Sequence, residues 1–110
     1  MEKEVYDAYL YDFYGELLNA HQRRIFEASR FMDLSLSEIG EEEGISRQGV
    51  HDSLKRTEEK LLRYEEKLRL VARFLEAKKR IRHLMEQYPD MAGELQEISD
   101  ILFKDEADGI

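Results

Sequence analysis

Leu36-Ser37-Glu38-Ile39-Gly40-Glu41-Glu42-Glu43-Gly44-Ile45-Ser46-Arg47-Gln48-Gly49-Val50 is the stretch whose reading decides the fold of this chain. Two helices that cross at a steep angle through a short turn need a fixed set of residues. Ile39 is the apolar residue that the first helix turns toward the second, and Gly40 beside it allows close approach. Gly44 accepts the left-handed backbone that the turn demands. Ile45 plugs the corner, and Val50 and then Leu54 return apolar side chains from the second helix. Ser35 caps the first helix, Glu38 completes a capping box three residues later, and Ser46 caps the second. The stretch predicts a helix-turn-helix, with helices over 35–43 and from 47 onward.

Working outward toward the N-terminus, a helix is expected over 20–31 behind the N-cap Asn19, with Ile25, Phe26, Ala28 and Phe31 inward. Another is expected over 3–18. There Val5, Tyr9, Phe13 and Leu17 recur at steps of four, with Tyr6, Leu10, Tyr14 and Leu18 alongside. Toward the C-terminus the helical signal runs from 47 to Pro89, the only proline. Val50, Leu54, Thr57, Leu61, Tyr64, Leu68, Val71 and Leu75 alternate steps of four and three, which is heptad spacing. After Leu75 the apolar stripe changes register to Phe74, Ala77, Ile81, Leu84 and Tyr88, as at a kink, a stutter or two abutting helices. A last helix is expected over 91–104, followed by a frayed DEADGI tail. Sustained period-2 alternation is absent, so the fold class is all-α. It is a helix-turn-helix bundle with a long C-terminal helical extension.

In this reading residues 1–110 form a single domain, with the helix-turn-helix core over 14–64 and the extension, expected to dimerise, over 65–110. A continuous helix of about 40 residues would be ~60 Å long. That is more than short helices can cover, so part of its stripe meets a second chain or folds back on 91–104. A homodimer is the expectation.

Composition narrows the function. Of the 110 residues none is cysteine, which excludes disulfides and thiolate metal sites and fits a reducing cytoplasm. The acidic N-terminus lacks the basic start of a signal peptide, and no stretch approaches the ~20 apolar residues that span a bilayer. Membrane insertion is not expected. The net charge of -8 is unevenly spread. Residues 1–45 carry net -7, residues 46–88 net +5 and residues 89–110 net -6. The basic charge is confined to the centre, where a polyanion would be met.

Within that centre the second helix of the motif leaves Arg47, Gln48, His51, Asp52 and Lys55 outward once Val50 and Leu54 face in. In DNA readers the start of this helix meets base edges in the major groove. Arg47 suits guanine and Gln48 adenine, while Lys55 and Arg56 are placed for phosphates. A second basic patch, Lys78, Lys79, Arg80 and Arg82, could grip phosphates of RNA or DNA, or lie against the acidic arms of the chain. His21, His51 and His83 lie too far apart for metal-ligand spacing. The carboxylates read as surface partners of basic residues, such as Glu59 with Arg63 and Glu65 with Arg69. No phosphate loop or catalytic triad stands out. Neither metal, cofactor nor enzyme activity is expected.

The segment LSLSEIGEEEGISRQGVHDSLKRTEEKL resembles region 4 of bacterial sigma factors. More closely, the chain resembles the YlxM-like family of helix-turn-helix proteins. The likeness is carried by residues 15–24, by Asp33-Leu34-Ser35-Leu36 and Ser46-Arg47-Gln48, and by Lys55-Arg56-Thr57-Glu58 and Tyr64-Glu65-Glu66-Lys67-Leu68. The resemblance implies a regulator whose gene lies beside those of the signal recognition particle protein and its receptor. Where sigma-type readers place basic or amide residues, this chain offers His51 and Asp52, and its supporting helix carries Glu41, Glu42 and Glu43. Two readings follow. One is a dimeric DNA-binding regulator. The other is a protein or RNA adaptor of the signal recognition particle pathway that keeps the helix-turn-helix as scaffold.

Overall fold

Side-chain caps set the helix starts of the central region. Asn19 and Ser35 each accept from the backbone N–H three residues on, and Gln22 and Glu38 reach back to the cap N–H, giving two complete capping boxes. Ser46 Oγ accepts from Gly49 N at 2.9 Å. These caps open α2 (Ala20–Arg30), α3 (Leu36–Glu43) and α4 (Arg47–Leu68). Before them lies α1 (Lys3–Tyr14), closed by a 3₁₀ turn at Gly15–Leu17. After them come α5 (Leu70–Gln87), a 3₁₀ turn at Pro89–Met91 and α6 (Ala92–Leu102). The computed structural model describes residues 1–102, among which there is no strand. The end of the expected 91–104 helix and the DEADGI tail lie outside the described residues. No helix among them is long and apolar enough to cross a membrane.

The chain divides after Arg69 into two compact units. In the first, α1, α2 and α3 pack on α4 and α2 also meets α3. Tyr14, Ile25, Phe26, Ile39, Val50 and Leu61 are fully buried there, each such side chain contributing about 1.5–3 kcal/mol through lost contact with water. In the second unit α6 folds back along α5.

Three expectations are corrected. The helix from 47 is not continuous to Pro89: Arg69 adopts left-handed backbone at φ 55 and separates α4 from α5. The register shift read after Leu75 does not mark this break, which falls six residues earlier with no glycine or proline to announce it. On α1 the core stripe is Asp7, Leu10 and Tyr14, with Leu18 beyond the helix, while Val5 and Leu17 are exposed. The stripe that packs on α4 is the one carrying Asp7, whose carboxylate is held there by Lys3 and Arg30. Phe31, the C-cap of α2, is half exposed, and its ring meets those of Tyr11 and Phe26 edge-on at the rim of the core.

Candidate nucleic-acid interface

The site rests on the tightness of the turn between α3 and α4. A Cβ built on Gly40 would stand 2.7 Å from the carbonyl oxygen of Ile45, so only glycine lets α3 approach the chain entering α4. Gly44 follows at φ 70 as a left-handed C-cap, and Ile45 N closes the turn on Gly40 O at 3.0 Å. Below the turn Val50 is 0% exposed and Leu54 is buried behind it. That fixes the rotation of α4 about its axis. Arg47, Gln48, His51, Asp52, Lys55 and Arg56 consequently all lie exposed on the opposite side.

The six do not behave alike. Gln48 Nε2 donates to Asp52 Oδ1 at 3.0 Å, and His51 Nδ1 lies 3.6 Å from the same oxygen. Arg56 Nε donates to the Asp52 carbonyl at 3.4 Å, folding the guanidinium back along its own helix. Asp52 thus gathers three of its neighbours. Arg47 and Lys55 make no hydrogen bond or ion pair with the described residues and extend into solvent. The face carries two ready cations and one carboxylate that engages an amide and an imidazole.

The supporting helix is anchored from behind. Arg24 of α2 holds Glu43 of α3 by hydrogen bonds from Nε at 3.2 Å and Nη2 at 3.0 Å. His21 lies 3.6 Å from the same carboxylate. The hydrogen bond from Arg24 holds the Glu43 carboxyl below its ordinary value, and the backbone N–H of Ser35 does the same for Glu38. Glu41 and Glu42 remain exposed on α3.

Sequence reasoning missed the polar links that join the first unit. Asp7 is buried and accepts from Lys3 Nζ at 2.9 Å and Arg30 Nε at 3.3 Å, while Glu58 accepts from Arg30 Nη2 and Lys3 Nζ. This cluster ties α1, α2 and α4 together. Arg30 also lies over the Phe26 ring, 5.5 Å from its centroid. Glu65, read as a surface partner of Arg69, is buried and accepts from the Tyr14 hydroxyl at 2.6 Å. A signal was available: Asp7 shares the helical stripe of Leu10 and Tyr14, and Glu65 lies four residues after Leu61.

The basic run lies on α5, in the second unit. Lys78 Nζ sits 5.7 Å from the Phe74 centroid and Arg80 Nε donates to Glu76 Oε1 at 2.9 Å. Lys79 and Arg82 are exposed.

Comparison with known proteins agrees with this architecture. Residues 1–101 match the UPF0122 family, described as "Putative helix-turn-helix protein, YlxM / p13 like". A UPF0122 protein of Caldanaerobacter subterraneus is 54% identical over 77 residues, 70% of this chain and 66% of the relative. One from Bacillus pumilus is 42% identical over 92 residues, 84% of each chain. The UPF0122 protein YlxM of Bacillus subtilis is 44% identical over 86 residues, 78% of each. The match spans just under two thirds of the Caldanaerobacter relative and more of the other two. With a capped α3, a left-handed glycine turn and an outward-facing α4 matched along nearly their whole length, the chain belongs to the UPF0122 family of YlxM / p13 like helix-turn-helix proteins.

Proposed function

We propose that this chain is a cytoplasmic DNA-binding regulator, a homodimer that reads duplex DNA with the first turns of α4 and carries out no catalysis. The observation behind this reading is the alignment of Arg47, Gln48, His51 and Lys55 on one exposed face at the start of a helix locked by Val50 and Leu54. Such a helix start fits a major groove, with Arg47 and Gln48 at base edges and Lys55 and Arg56 at phosphates. Lys78, Lys79, Arg80 and Arg82 offer a further cationic surface to a nucleic acid. The regulator acts in the signal recognition particle pathway, as the family resemblance implies.

Electrophoretic shift on genomic fragments, repeated over a range of salt, tests this. Binding should fall steeply with salt through counterion release. Arg47→Ala should cost ~1–3 kcal/mol and relax sequence preference, whereas Lys55→Ala should weaken all sequences alike and lower the salt slope by about one. Asp52→Asn removes a carboxylate that repels phosphate and should tighten binding to every fragment. If Asp52→Asn and Lys55→Ala both leave affinity unchanged, α4 does not meet the duplex.

A second reading has its own observation. Asp52 engages Gln48 and His51, and Glu41 and Glu42 stand exposed on α3. A face so arranged suits a protein or RNA adaptor of the signal recognition particle pathway, with the helix-turn-helix as scaffold. Recovery of the tagged chain's partners from lysate, with and without nuclease, separates the two: recovery of DNA alone sinks the adaptor.

A further inference from the structure

The second unit is an unbalanced hairpin. Among its described residues Val71 and Leu95 are its buried apolar side chains, while Leu84 is 39%, Ile98 48% and Ile101 81% exposed. A pair of helices this short buries too little apolar area to be stable through its own contact. On α6 the residues directed inward are Ala92, Leu95 and Ser99, yet the apolar surface continues outward through Ile98 to Ile101. On α5 it continues outward to Leu84.

Charge is divided between the two helices. α5 carries five Lys+Arg against two acids, and residues 89–102 carry four acids and no Lys or Arg. The division follows the apolar edges. Arg73, Ala77, Arg80 and Leu84 fall on one stripe of α5, at steps of four, three and four. Glu94, Ile98 and Ile101 fall on one stripe of α6 at steps of four and three, with Glu97 beside Ile101. A basic edge bearing an exposed leucine and an acidic edge bearing exposed isoleucines complement each other. A two-fold axis brings both pairs together at once, because an isologous contact uses each patch twice.

We propose that the α5–α6 hairpin is the docking surface for a second copy of this chain, with α5 of each copy lying on α6 of the other. Arg73 and Arg80, the latter exchanging its intrahelical contact with Glu76, then face Glu94 and Glu97 of the partner around a shared seam of Leu84, Ile98 and Ile101, which leaves Lys78, Lys79 and Arg82 of the basic run for a nucleic acid. The proposal rests on the homodimer in the reading above and is independent of whether α4 contacts DNA.

The test measures mass by light scattering on the full chain without nucleic acid, so a failure of DNA binding leaves it untouched. The wild type should run at twice the 13.1 kDa chain mass at micromolar concentration. Arg73→Glu with Arg80→Glu, and separately Glu94→Lys with Glu97→Lys, should each place like charges across the seam and run at single-chain mass. Mixed in equal amounts, the two variants restore opposite charges and should recover the double mass. Ile101→Lys, a change at a solvent-facing position, should also give single-chain mass and serves if a charge variant loses helical content. A wild type at single-chain mass, charge variants that both keep the double mass, or a mixture that stays at single-chain mass would overturn the proposal.

Discussion

Among the described residues two helices end on a left-handed residue, α3 on Gly44 at φ 70 and α4 on Arg69 at φ 55. In both the residue's N–H closes back on a carbonyl four residues earlier, Gly40 O and Glu65 O. Gly44 is followed at once by a corner residue, Ile45, and a capping serine. Arg69 is followed directly by Leu70, the first residue of α5. The first end is written into local sequence. At the second a side chain bears a conformation that L-residues resist by ~1–2 kcal/mol, and no glycine or asparagine stands there to accept it. The turn that positions the candidate site is specified residue by residue, whereas the end of α4 runs against local preference.

The largest test of that contrast is at Gly40. A Cβ there meets backbone, the carbonyl of Ile45 at 2.7 Å, which cannot swing aside as a flexible side chain can. Gly40→Val should destabilise the chain by about 2–3 kcal/mol through forced separation of α3 from the turn. Its melting temperature should fall by roughly 10 °C. An unchanged melting temperature would mean that the turn has slack and does not fix the rotation of α4.

How much could be read beforehand follows from the same distinction. Ser35, Glu38, Ile39, Gly40, Gly44, Ser46 and Val50 act through short-range geometry, and their sequence order alone placed α3, the turn and the start of α4. The outward positions of Arg47, Gln48, His51, Asp52 and Lys55 followed from Val50 and Leu54 being inward. The pairing of Asp52 with Gln48 and His51 did not, although Gln48 and Asp52 are one helical turn apart, because side-chain choice among several acceptors is made by the folded surface. The inward positions of Asp7 and Glu65 were signalled by their helical stripes, but what satisfies them was hidden for a stronger reason. Their partners Arg30 and Tyr14 lie 23 and 51 residues away in the chain, and only tertiary packing makes such carboxylates tolerable inside.

Next in size is Gly44→Val. Nothing lies within 4 Å of a Cβ at this position, so the cost is conformational and not steric. About 1–2 kcal/mol is expected, from forcing a β-branched residue to positive φ. Urea unfolding should show a lower midpoint with an unaltered slope. A value near zero would move the left-handed requirement elsewhere in the turn.

A smaller effect, confined to acid, belongs to the anchor behind the turn. Arg24 lowers the Glu43 carboxyl below its ordinary value. A carboxylate depressed on folding contributes stability that is fully present above its unfolded value and is lost as pH falls through the folded one. Stability measured from pH 7 downward should therefore decline through the acid range partly because of this pair. In Glu43→Gln that component should vanish, leaving a shallower decline. Parallel curves for the two chains would show that the Arg24–Glu43 contact does not hold α3 in place.

The smallest effect sharpens the comparison most. Arg69 holds φ 55 with its side chain exposed, so little beyond the backbone depends on its identity. Arg69→Gly removes a left-handed penalty of ~1–2 kcal/mol and adds about 0.5–1 kcal/mol of extra chain entropy to be lost on folding. The two nearly cancel, with a gain of a few tenths to about 1 kcal/mol expected. The reciprocal change, Gly44→Arg, meets both terms with the opposite sign and should destabilise by a similar amount. If packing imposes the break, Arg69→Gly melts slightly higher than the wild type, and its circular dichroism is unaltered. If Arg69→Gly instead melts several degrees lower, the arginine side chain itself holds the α4–α5 boundary, and the difference between the two helix ends becomes one of side-chain contact rather than backbone strain.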